Sequence, residues 1–258
     1  MNDSVLHLAG KRGLVVGIAN EESVAYGCAS VLRAAGAQLA ITYLNAKAEP
    51  HVRPLAERLE APIILPLDVE VPGQADAVFA EIERRWGKLD FIVHSIAFAP
   101  ASDLHGRVVD CSLAGFQRAM HVSCYSLIEL ARLGEPLLAG GGTILTMTFY
   151  GGEKVVRHYN LMGPVKAALQ ATVRSLAHEL GRSAIRVHAL SPGPLRTRAA
   201  GGIGGFDQLV EDAETRTPLG SLATKEDVGH AAAFLVSDAA RALTGDTIHI
   251  DGGRHAMA

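Results

Sequence analysis

The chain has little of what disulfide-rich, metal-binding or nucleic-acid-binding proteins need. Its only cysteines are Cys28, Cys111 and Cys124, which are too few and too scattered for a disulfide framework or a zinc site. Lys and Arg number 24 against 27 Asp and Glu, which gives a formal net charge of −3. No basic stripe of the kind that binds nucleic acid stands out. We therefore expect no nucleic-acid partner and no metal, and free thiols that suit a reducing cytoplasm.

Long hydrophobic runs are also missing. The longest apolar stretches have only the length of a strand, so we expect neither a membrane span nor a membrane partner. The first residues, MNDSVLHLAGKRGLVVG, lack the charged start and long apolar run of a signal peptide. These features predict a soluble cytoplasmic protein. The length fits one large α/β domain better than two, so residues 1–258 are predicted to form one dinucleotide-binding catalytic domain.

Short apolar runs alternate with helical patterns along nearly the whole chain. Helical spacing of apolar residues is clear from Glu21 to Ala35, for example. This alternation favours right-handed crossovers and a parallel sheet with helices on both faces. The predicted fold class is α/β, a Rossmann-type doubly wound parallel sheet of seven strands. The seven predicted strands are GLVVGIA, AQLAITYL, APIILPLDV, LDFIVHSIA, GGTILTMTF, IRVHALSPG and GDTIHIDGG.

One segment, residues 195–220, interrupts this alternation between the sixth strand and the next helix. Its four glycines in GGIGGF disfavour a stable helix, while Leu209 and Val210 offer an apolar face. Long insertions inside compact domains are usually functional lids or disordered segments. We predict a lid over an active site, with disorder as the alternative.

The turn after the first strand is the first candidate site, because ligands of open parallel sheets bind beyond the carboxyl ends of the strands. It reads GIANEESVAYG and lacks the G-x-G-x-x-G pattern. Gly17, Ala19, Ser23 and Ala25 are nevertheless small enough for a pyrophosphate to approach the backbone. Ser23 is placed to cap the helix and leave its amides free for an anion. A loop with small residues for close packing is an equally weighted alternative.

Two further strand ends favour a nucleotide site. Asp68 follows the third strand, where its carboxylate can accept a hydrogen bond from an adenine amino group, although a helix-capping aspartate is the alternative. Residues 94–97, HSIA, end the fourth strand with small residues where a cofactor would cross the sheet edge. His94 is predicted to be structural, because no metal partners lie at useful spacing. Lys47 follows the second strand in place of an acidic residue, so the residues leave NADH and NADPH both open.

Tyr159 and Lys166 form the candidate catalytic pair. On one helix a step of seven residues places the two side chains within roughly 20° of each other and roughly 10 Å apart along the axis. A ribose hydroxyl can then lie between them, and the ammonium can lower the tyrosine pKa from about 10. The predicted helix follows the fifth strand, whose end faces the same sheet edge as Gly17 and Ser95. That convergence is what a site requires.

These motifs resemble the short-chain dehydrogenase/reductase superfamily, which has a Tyr-x6-Lys pair. More closely, the chain resembles the NADH-dependent enoyl-acyl-carrier-protein reductases of bacterial type II fatty acid synthesis. The resemblance implies a homotetramer that transfers a hydride from NADH to the β-carbon of a trans-2-enoyl thioester held by acyl carrier protein. The matching stretches, in family order over nearly the whole chain, are GIANEESVAYG, LDFIVHSIAFAP, YNLMGPVKAAL, GPLRT, and EDVGHAAAFLVSD followed by IHIDGG.

The resemblance also implies roles for individual residues. Tyr159 would donate a hydrogen bond to the thioester oxygen as enolate charge develops, and Lys166 would hold the nicotinamide ribose. Ala99 and Phe149 would lie near the substrate, beneath a lid whose alanines and glycines suit an apolar acyl chain. The implied cofactor contacts are Gly17, Ala19, Ser23 and Val24 at the pyrophosphate, Asp68 and Val69 at the adenine, Leu44 at the adenosine ribose, Ser95, Ile96 and Ala97 beneath the ribose and nicotinamide, and Leu195 and Thr197 at the carboxamide.

Arg157, Arg196 or Arg198, near the mouth of the site, would contact an acidic carrier protein. The alternative is that these arginines are ordinary solvated surface residues. Several positions depart from the family pattern. Phe149 stands where many members have a second tyrosine, which shifts the expected acyl-chain length more than the reaction. Ala97 stands where glycine is usual, and the SPGP motif resembles ordinary short-chain reductases.

The sequence is therefore compatible with three functions. An enoyl-thioester reductase is favoured, because HSIA replaces the Asn-Asn-Ala-Gly motif of the ordinary members. The alternative is a short-chain carbonyl reductase that acts on a 3-oxoacyl thioester or an alcohol with NAD(P)H. In that enzyme Thr146, thirteen residues before Tyr159, would replace the catalytic serine that TMTFYGG lacks. The third possibility is a catalytically silent nucleotide-binding relative, which the intact Tyr159–Lys166 pair argues against.

Overall fold

A seven-stranded, all-parallel sheet forms the centre of the molecule. The structure, a computed structural model, describes residues 6–197, 201 and 204–257. The strands lie in the order β3-β2-β1-β4-β5-β6-β7, which confirms the predicted doubly wound sheet. Their bounds are β1 Arg12–Val16, β2 Gln38–Tyr43, β3 Ile63–Pro66, β4 Phe91–His94, β5 Gly142–Met147, β6 Ile185–Pro192 and β7 Thr247–Ile250.

Helices cover both faces of the sheet. The apolar sides of α1, α2 and α9 pack on one face, and those of α3, α6 and α7 pack on the other. The five inner strands are buried on both sides, which explains why their sequences are continuously apolar, whereas the edge strands β3 and β7 are partly exposed. The helices are α1 Val24–Ala34, α2 Glu49–Arg58, α3 Gln74–Trp86, α4 Ala101–Leu104, α5 Leu113–Met120, α6 Ser126–Gly134, α7 Met162–Leu180, α8 Phe206–Arg216 and α9 Lys225–Val236.

Among the longer helices, α2 and α8 were not anticipated from the sequence. Pro50 and Pro54 obscure α2, yet Pro50 lies in the first turn, where no backbone N–H is needed. Within 195–220, α8 begins at Phe206, directly after Gly205 in the left-handed conformation. In the described part of the chain, no helix is both long and apolar enough to cross a membrane.

The position of the site follows from the strand order. β1 pairs with β2 on one side and with β4 on the other, so the chain reverses its direction of winding between β1 and β4. The loops that leave these two strands diverge there and open a crevice at the carboxyl edge. The loops after β5 and β6 extend the same edge toward α7.

Candidate active site

The loops after β1 and β4 touch at the crevice. Gly17 has φ +111°, a conformation that side chains other than glycine rarely adopt. A Cβ at this position would lie 2.0 Å from the backbone oxygen of Ser95. The Ser95 amide in turn donates to the carbonyl of Val16 at 3.0 Å. Gly17 therefore allows the first loop to cross directly over the segment that is predicted to run beneath the nicotinamide.

Ser23 stabilises this first loop, though not in the predicted way. Its hydroxyl oxygen accepts hydrogen bonds from the amides of Ala19 and Asn20, both at 3.0 Å, and makes no side-chain cap to α1. The expectation that Ser23 caps the helix is therefore wrong. The reason is that the loop folds back onto the hydroxyl. Because α1 also lacks an acidic residue in its first turn, its N-terminal dipole is not neutralised locally and favours an anion.

The predicted adenine end lies at the carboxyl edge of β2 and β3. Leu44 directly follows β2 and is exposed, while Val69 is partly buried against the core. The Asp68 carboxylate accepts from the Glu70 amide at 3.0 Å. It does not cap α3, whose N-cap residue is Gly73, so the capping alternative is excluded.

Tyr159 does not lie on a helix, and the predicted helical geometry of the pair is wrong. α7 begins only at Met162. The residues on either side of Tyr159, His158 and Asn160, have φ of 63° and 40°, which a right-handed helix cannot contain. Histidine and asparagine are among the residues that tolerate this region. The turn, rather than a helical face, therefore sets the direction of the Tyr159 side chain.

The Tyr159 ring is buried in a small apolar cluster with Phe149 and Ala99. It contacts the Phe149 ring edge-on, with centroids 4.9 Å apart. A Cβ at Gly151 would lie 2.4 Å from Tyr159 Cδ1, so the glycine makes room for the ring. The three residues predicted to face the substrate thus lie together.

Burial raises the pKa of Tyr159 above its ordinary value. The expectation that the neighbouring ammonium lowers this pKa is wrong, because desolvation of the phenolate dominates. Tyr159 is therefore a neutral phenol at physiological pH. In that form it is a hydrogen-bond donor, which suits oxyanion stabilisation rather than proton abstraction.

Lys166 lies on the first turns of α7 with its side chain buried. Its Nζ donates to the carbonyl of Met147 at 2.8 Å. Met147 stands one residue beyond the last β4–β5 pair, His94 with Thr146, so its carbonyl is not used by β4. An ammonium has three donors, and among the described residues only this acceptor is found for it. Burial lowers the Lys166 pKa to about 8.

His94 is a structural histidine, as predicted, and it occupies a closed polar network under the site. Its Nδ1 lies 2.7 Å from Thr146 Oγ1 and its Nε2 lies 2.8 Å from Ser126 Oγ. The Ser126 hydroxyl donates to the carbonyl of Val122 at 2.7 Å. It must therefore accept from Nε2–H, which leaves Nδ1 as the acceptor of the Thr146 hydroxyl proton. Thr146 is fully buried, and its hydroxyl proton is donated to His94.

A π-helical turn, His121–Tyr125, places the partners of this network. It lies between α5 and α6, and such bulges are frequent at functional sites. Ser123 in the turn accepts from the Phe98 amide at 2.9 Å and donates to the Phe98 carbonyl at 3.1 Å. With Ser126, it fixes both ends of the loop after β4. The apolar spacing of the sequence did not predict this turn.

The neutrality of His94 has a measurable consequence for stability. Burial lowers its pKa from 6.5 to about 3, so below pH 6.5 the unfolded chain binds a proton that the folded chain does not. Stability is then lost as pH falls, by about 1.4 kcal/mol at pH 5.5 from this one group. We expect His94→Gln to be less stable than wild type at pH 7.5 but to lose about 1.4 kcal/mol less between pH 7.5 and 5.5.

Urea unfolding at the two pH values measures this difference, and His178→Gln on the exposed face of α7 is the matched control. His188, whose pKa is also lowered by burial, contributes equally to all three proteins and cancels. An unchanged pH dependence in His94→Gln would show that His94 is protonated in the folded chain.

The remaining predicted residues lie along the same edge. Ile96 packs partly buried against one core layer and Leu195 against the other, while Ala97 is exposed. The Thr197 amide donates to the Leu195 carbonyl at 2.8 Å. The predicted lid lies in part outside the described residues, namely at 198–200, which include Arg198, and at 202–203.

A nicotinamide nucleotide fits the polar groups of this edge. Thr148 follows β5 and Ser191 lies near the end of β6, and their buried hydroxyls have no hydrogen-bond partner in the structure. The β5–β6 register ends with Met147 opposite Leu190, so these two hydroxyl-bearing residues are neighbours. Together with the spare donors of Lys166, they leave buried hydrogen-bonding capacity for a polar ligand. No group of three or more His, Cys, Asp or Glu residues suited to a metal occurs in the described part of the chain.

A Rossmann-type sheet whose carboxyl edge carries a Tyr-x6-Lys pair defines a short-chain dehydrogenase/reductase. The family model for enoyl-(acyl carrier protein) reductase matches residues 17–255, and the chain belongs to this family.

Individual relatives agree with the family model. An enoyl-[acyl-carrier-protein] reductase [NADH] of Aquifex aeolicus is 47% identical over 97% of this chain and 93% of its own length. A crystal structure of the Aquifex aeolicus reductase has a TM-score of 0.94, with 45% identity over 99% of this chain and 100% of that one. The reductase of Anaplasma phagocytophilum in complex with NAD has the same TM-score and identity, over 99% and 97% of the two chains.

Proposed function

We propose that the protein reduces the 2,3 double bond of a trans-2-enoyl thioester with NADH, on an acyl carrier protein in type II fatty acid synthesis. The observation that carries this proposal is a buried, neutral Tyr159 together with a buried Lys166 that has unused donors. Family membership at 42–47% identity to NADH-dependent enoyl reductases supports it. NADH is the proposed cofactor, and Lys47, exposed after β2, can also accommodate the 2′-phosphate of NADPH.

The chain's own residues do the following work in this reaction. Tyr159 donates a hydrogen bond to the thioester oxygen, where negative charge develops when hydride arrives at the β-carbon. The enolate then takes one proton from solvent at its α-carbon, which completes the saturated thioester. Lys166 holds the ribose hydroxyls through the donors that Met147 does not use. When bound, the nicotinamide supplies the hydride. Phe149 and Ala99 form an apolar wall around the Tyr159 ring, and this wall excludes water from the developing enolate.

The other predicted residues are assigned to parts of the cofactor in their order along the crevice. The uncapped N-terminus of α1, with Ala19, Ser23 and Val24, is proposed to take the pyrophosphate. Gly17 permits its close approach. The adenine is assigned to Asp68, Val69 and Leu44, the ribose and nicotinamide to Ser95, Ile96 and Ala97, and the carboxamide to Leu195 and Thr197.

The same geometry disfavours the carbonyl-reductase alternative. That enzyme would need the Thr146 hydroxyl at the reacting carbonyl, yet Thr146 is fully buried and its hydroxyl donates to His94. Reorienting it would leave His94 Nδ1 without its partner, which costs about 1–3 kcal/mol. Oxyanion stabilisation by Tyr159 alone suits an enolate better than general-acid catalysis of ketone reduction.

Parallel assays test the proposal directly. A trans-2-enoyl thioester and a 3-oxoacyl thioester of the same chain length are supplied with NADH and then with NADPH, and oxidation of the cofactor is followed. We expect turnover of the enoyl thioester with NADH at a kcat/KM at least about 10²-fold above that of the oxo thioester. Oxidation of NADH with the oxo thioester alone would overturn the proposal in favour of the carbonyl reductase.

We also propose a homotetramer in the cytoplasm, with residues 195–220 as a lid over an apolar acyl chain and with no membrane or nucleic-acid partner. The free thiols of the three cysteines suit a reducing compartment. Large apolar side chains are exposed on α5 and α6, and such patches usually mark interfaces. They are Leu113, Phe116 and Ile128. Sedimentation equilibrium measures the assembly, and a monomer at micromolar concentration would exclude it.

A further inference from the structure

A cavity lies beside the turn that carries Tyr159. It has a volume of about 420 Å³ and is formed by three segments of the chain. The segments are tied together, because Asn160 Nδ2 donates to the carbonyl of Leu104 at 2.8 Å, and the His158 ring lies against Gly205. The cavity is lined by His105, Gly106, Arg107, His158, Asn160 and Gly204.

The turn with left-handed residues His158 and Asn160 lies between this cavity and the Tyr159 side chain. With φ of 63° at His158 and 40° at Asn160, consecutive side chains point apart. The Tyr159 ring is buried against Phe149, while His158 is exposed and lines the cavity. Strain of this kind costs about 1–3 kcal/mol per residue and concentrates at functional sites. The same turn therefore presents one side chain to the thioester and the next to the cavity.

The charged and aromatic side chains that line the cavity offer hydrogen-bond donors. Arg107 supplies a guanidinium, the two imidazoles can each donate, and no carboxylate lines the cavity. The nearest counter-charge is Asp110, 3.4 Å from Arg107 in an ion pair whose two side chains are mostly exposed. Such a pair is weak and open to exchange. Arg157, next to His158, forms no ion pair with any residue that the structure describes.

The helix α8, which begins two residues after the cavity-lining Gly204, carries charged side chains that are mostly acidic. α8 carries Asp207, Glu211, Asp212 and Glu214 against the single cation Arg216. Arg196, one of the arginines expected to meet a carrier protein, is bound to Asp207 at 2.7 Å. Asp207 and Asp212 are neutralised by ion pairs with arginines. An acidic partner is therefore disfavoured at Glu211 and Glu214, for which the described residues provide no ion pair, and favoured at Arg107 and Arg157.

We propose that this cavity binds the phosphodiester of the phosphopantetheine arm by which a carrier protein presents its acyl thioester. The inference rests on the proposed function, because such an arm must pass from the carrier surface to Tyr159. A guanidinium in a fork-like contact with phosphate, supported by imidazole donors, is a common form of phosphate recognition. Arg107 then selects for the arm, while Tyr159 acts on the thioester at its end.

Three thioesters of one enoyl acid test this proposal: the pantetheine thioester without phosphate, the phosphopantetheine thioester, and the thioester on carrier protein. We expect Arg107→Ala to lower kcat/KM about tenfold for the two phosphate-bearing substrates, mostly through KM. The pantetheine thioester should be reduced as well as by wild type. Arg107→Lys, which keeps the charge without the fork, should lose less. Arg84→Ala, on the exposed face of α3, is the control for a general loss of positive charge.

Each other outcome overturns the proposal in a recognisable way. An equal loss with all three thioesters would show that Arg107 supports the fold of the site and not the phosphate. A loss with the carrier protein alone would place Arg107 on the protein–protein contact. If wild type reduces the phosphate-free thioester while Arg107→Ala behaves like wild type throughout, the proposed function stands and the cavity assignment fails. If wild type reduces none of the three, both fail.

Discussion

Tyr159→Phe is expected to lower kcat for enoyl-thioester reduction by about 10²–10³-fold. The substitution removes one oxyanion donor from a water-excluded site, and donors of this kind contribute on that order. The phenyl ring keeps the edge-on contact with Phe149, and no hydrogen bond of the Tyr159 hydroxyl to the described residues is lost. The loss should therefore appear in kcat, with the dissociation constant of NADH and the unfolding free energy close to those of wild type.

The measurement is steady-state reduction of the enoyl thioester, with NADH binding followed by fluorescence. Tyr125→Phe is the matched control, because Tyr125 is exposed on the π-helical turn and its hydroxyl plays no part in the proposed chemistry. Activity of Tyr159→Phe within about threefold of wild type would remove Tyr159 from the mechanism. The neutral state of the phenol adds a second expectation: no ionisation of Tyr159 should appear in the pH profile below its raised pKa.

The second large effect is expected at Lys166, in NADH binding rather than in the chemical step. With a pKa of about 8, the side chain is an ammonium at pH 7 and loses its charge as pH rises through 8. The charged form is the one that donates to ribose hydroxyls as well as to Met147. NADH affinity should therefore be constant below pH 7 and fall about tenfold per pH unit above pH 8, with one proton linked to binding.

Lys166→Met should bind NADH at least about tenfold more weakly at pH 7 and show no such decline. Charged hydrogen bonds contribute about 1.5–3 kcal/mol each, which corresponds to that factor or more. Removing a buried charge also removes its desolvation cost, so the variant is expected to fold. Lys88→Met, at an exposed lysine paired with Asp90, is the control. A decline above pH 8 that persists in Lys166→Met would assign the ionisation to another group.

Much of this molecule was predictable from short-range patterns. Continuous apolar runs separated by helical spacing predicted the parallel sheet and its doubly wound order, because strands buried on both faces have no polar side. Gly17 and Ser95 were predicted at one edge since the carboxyl ends of parallel strands always meet there. The buried, structural state of His94 was predicted because no metal partner lay at useful spacing.

The details that set the chemistry were not predictable in this way. Helical periodicity placed Tyr159 and Lys166 on one helix, but the left-handed residues on either side of Tyr159 end that pattern before α7 begins. Helical spacing also predicted that the Lys166 ammonium lowers the Tyr159 pKa, whereas burial in the folded chain raises this pKa. Desolvation depends on every residue around the ring, and no local spacing contains that information.

The sequence by itself therefore determined the fold class, the family and which side chains meet at the carboxyl edge, because strand direction and composition are local properties. Only the tertiary structure decided what those side chains can do. In the folded chain the Thr146 hydroxyl is hydrogen-bonded to His94, and Lys166 has donors that no described residue accepts. Burial also keeps Tyr159 protonated. The tertiary structure also placed Arg107 in the wall of a cavity beside the turn that carries Tyr159. Each of these depends on contacts between segments far apart in the chain, where burial and hydrogen-bond partners set charge and protonation.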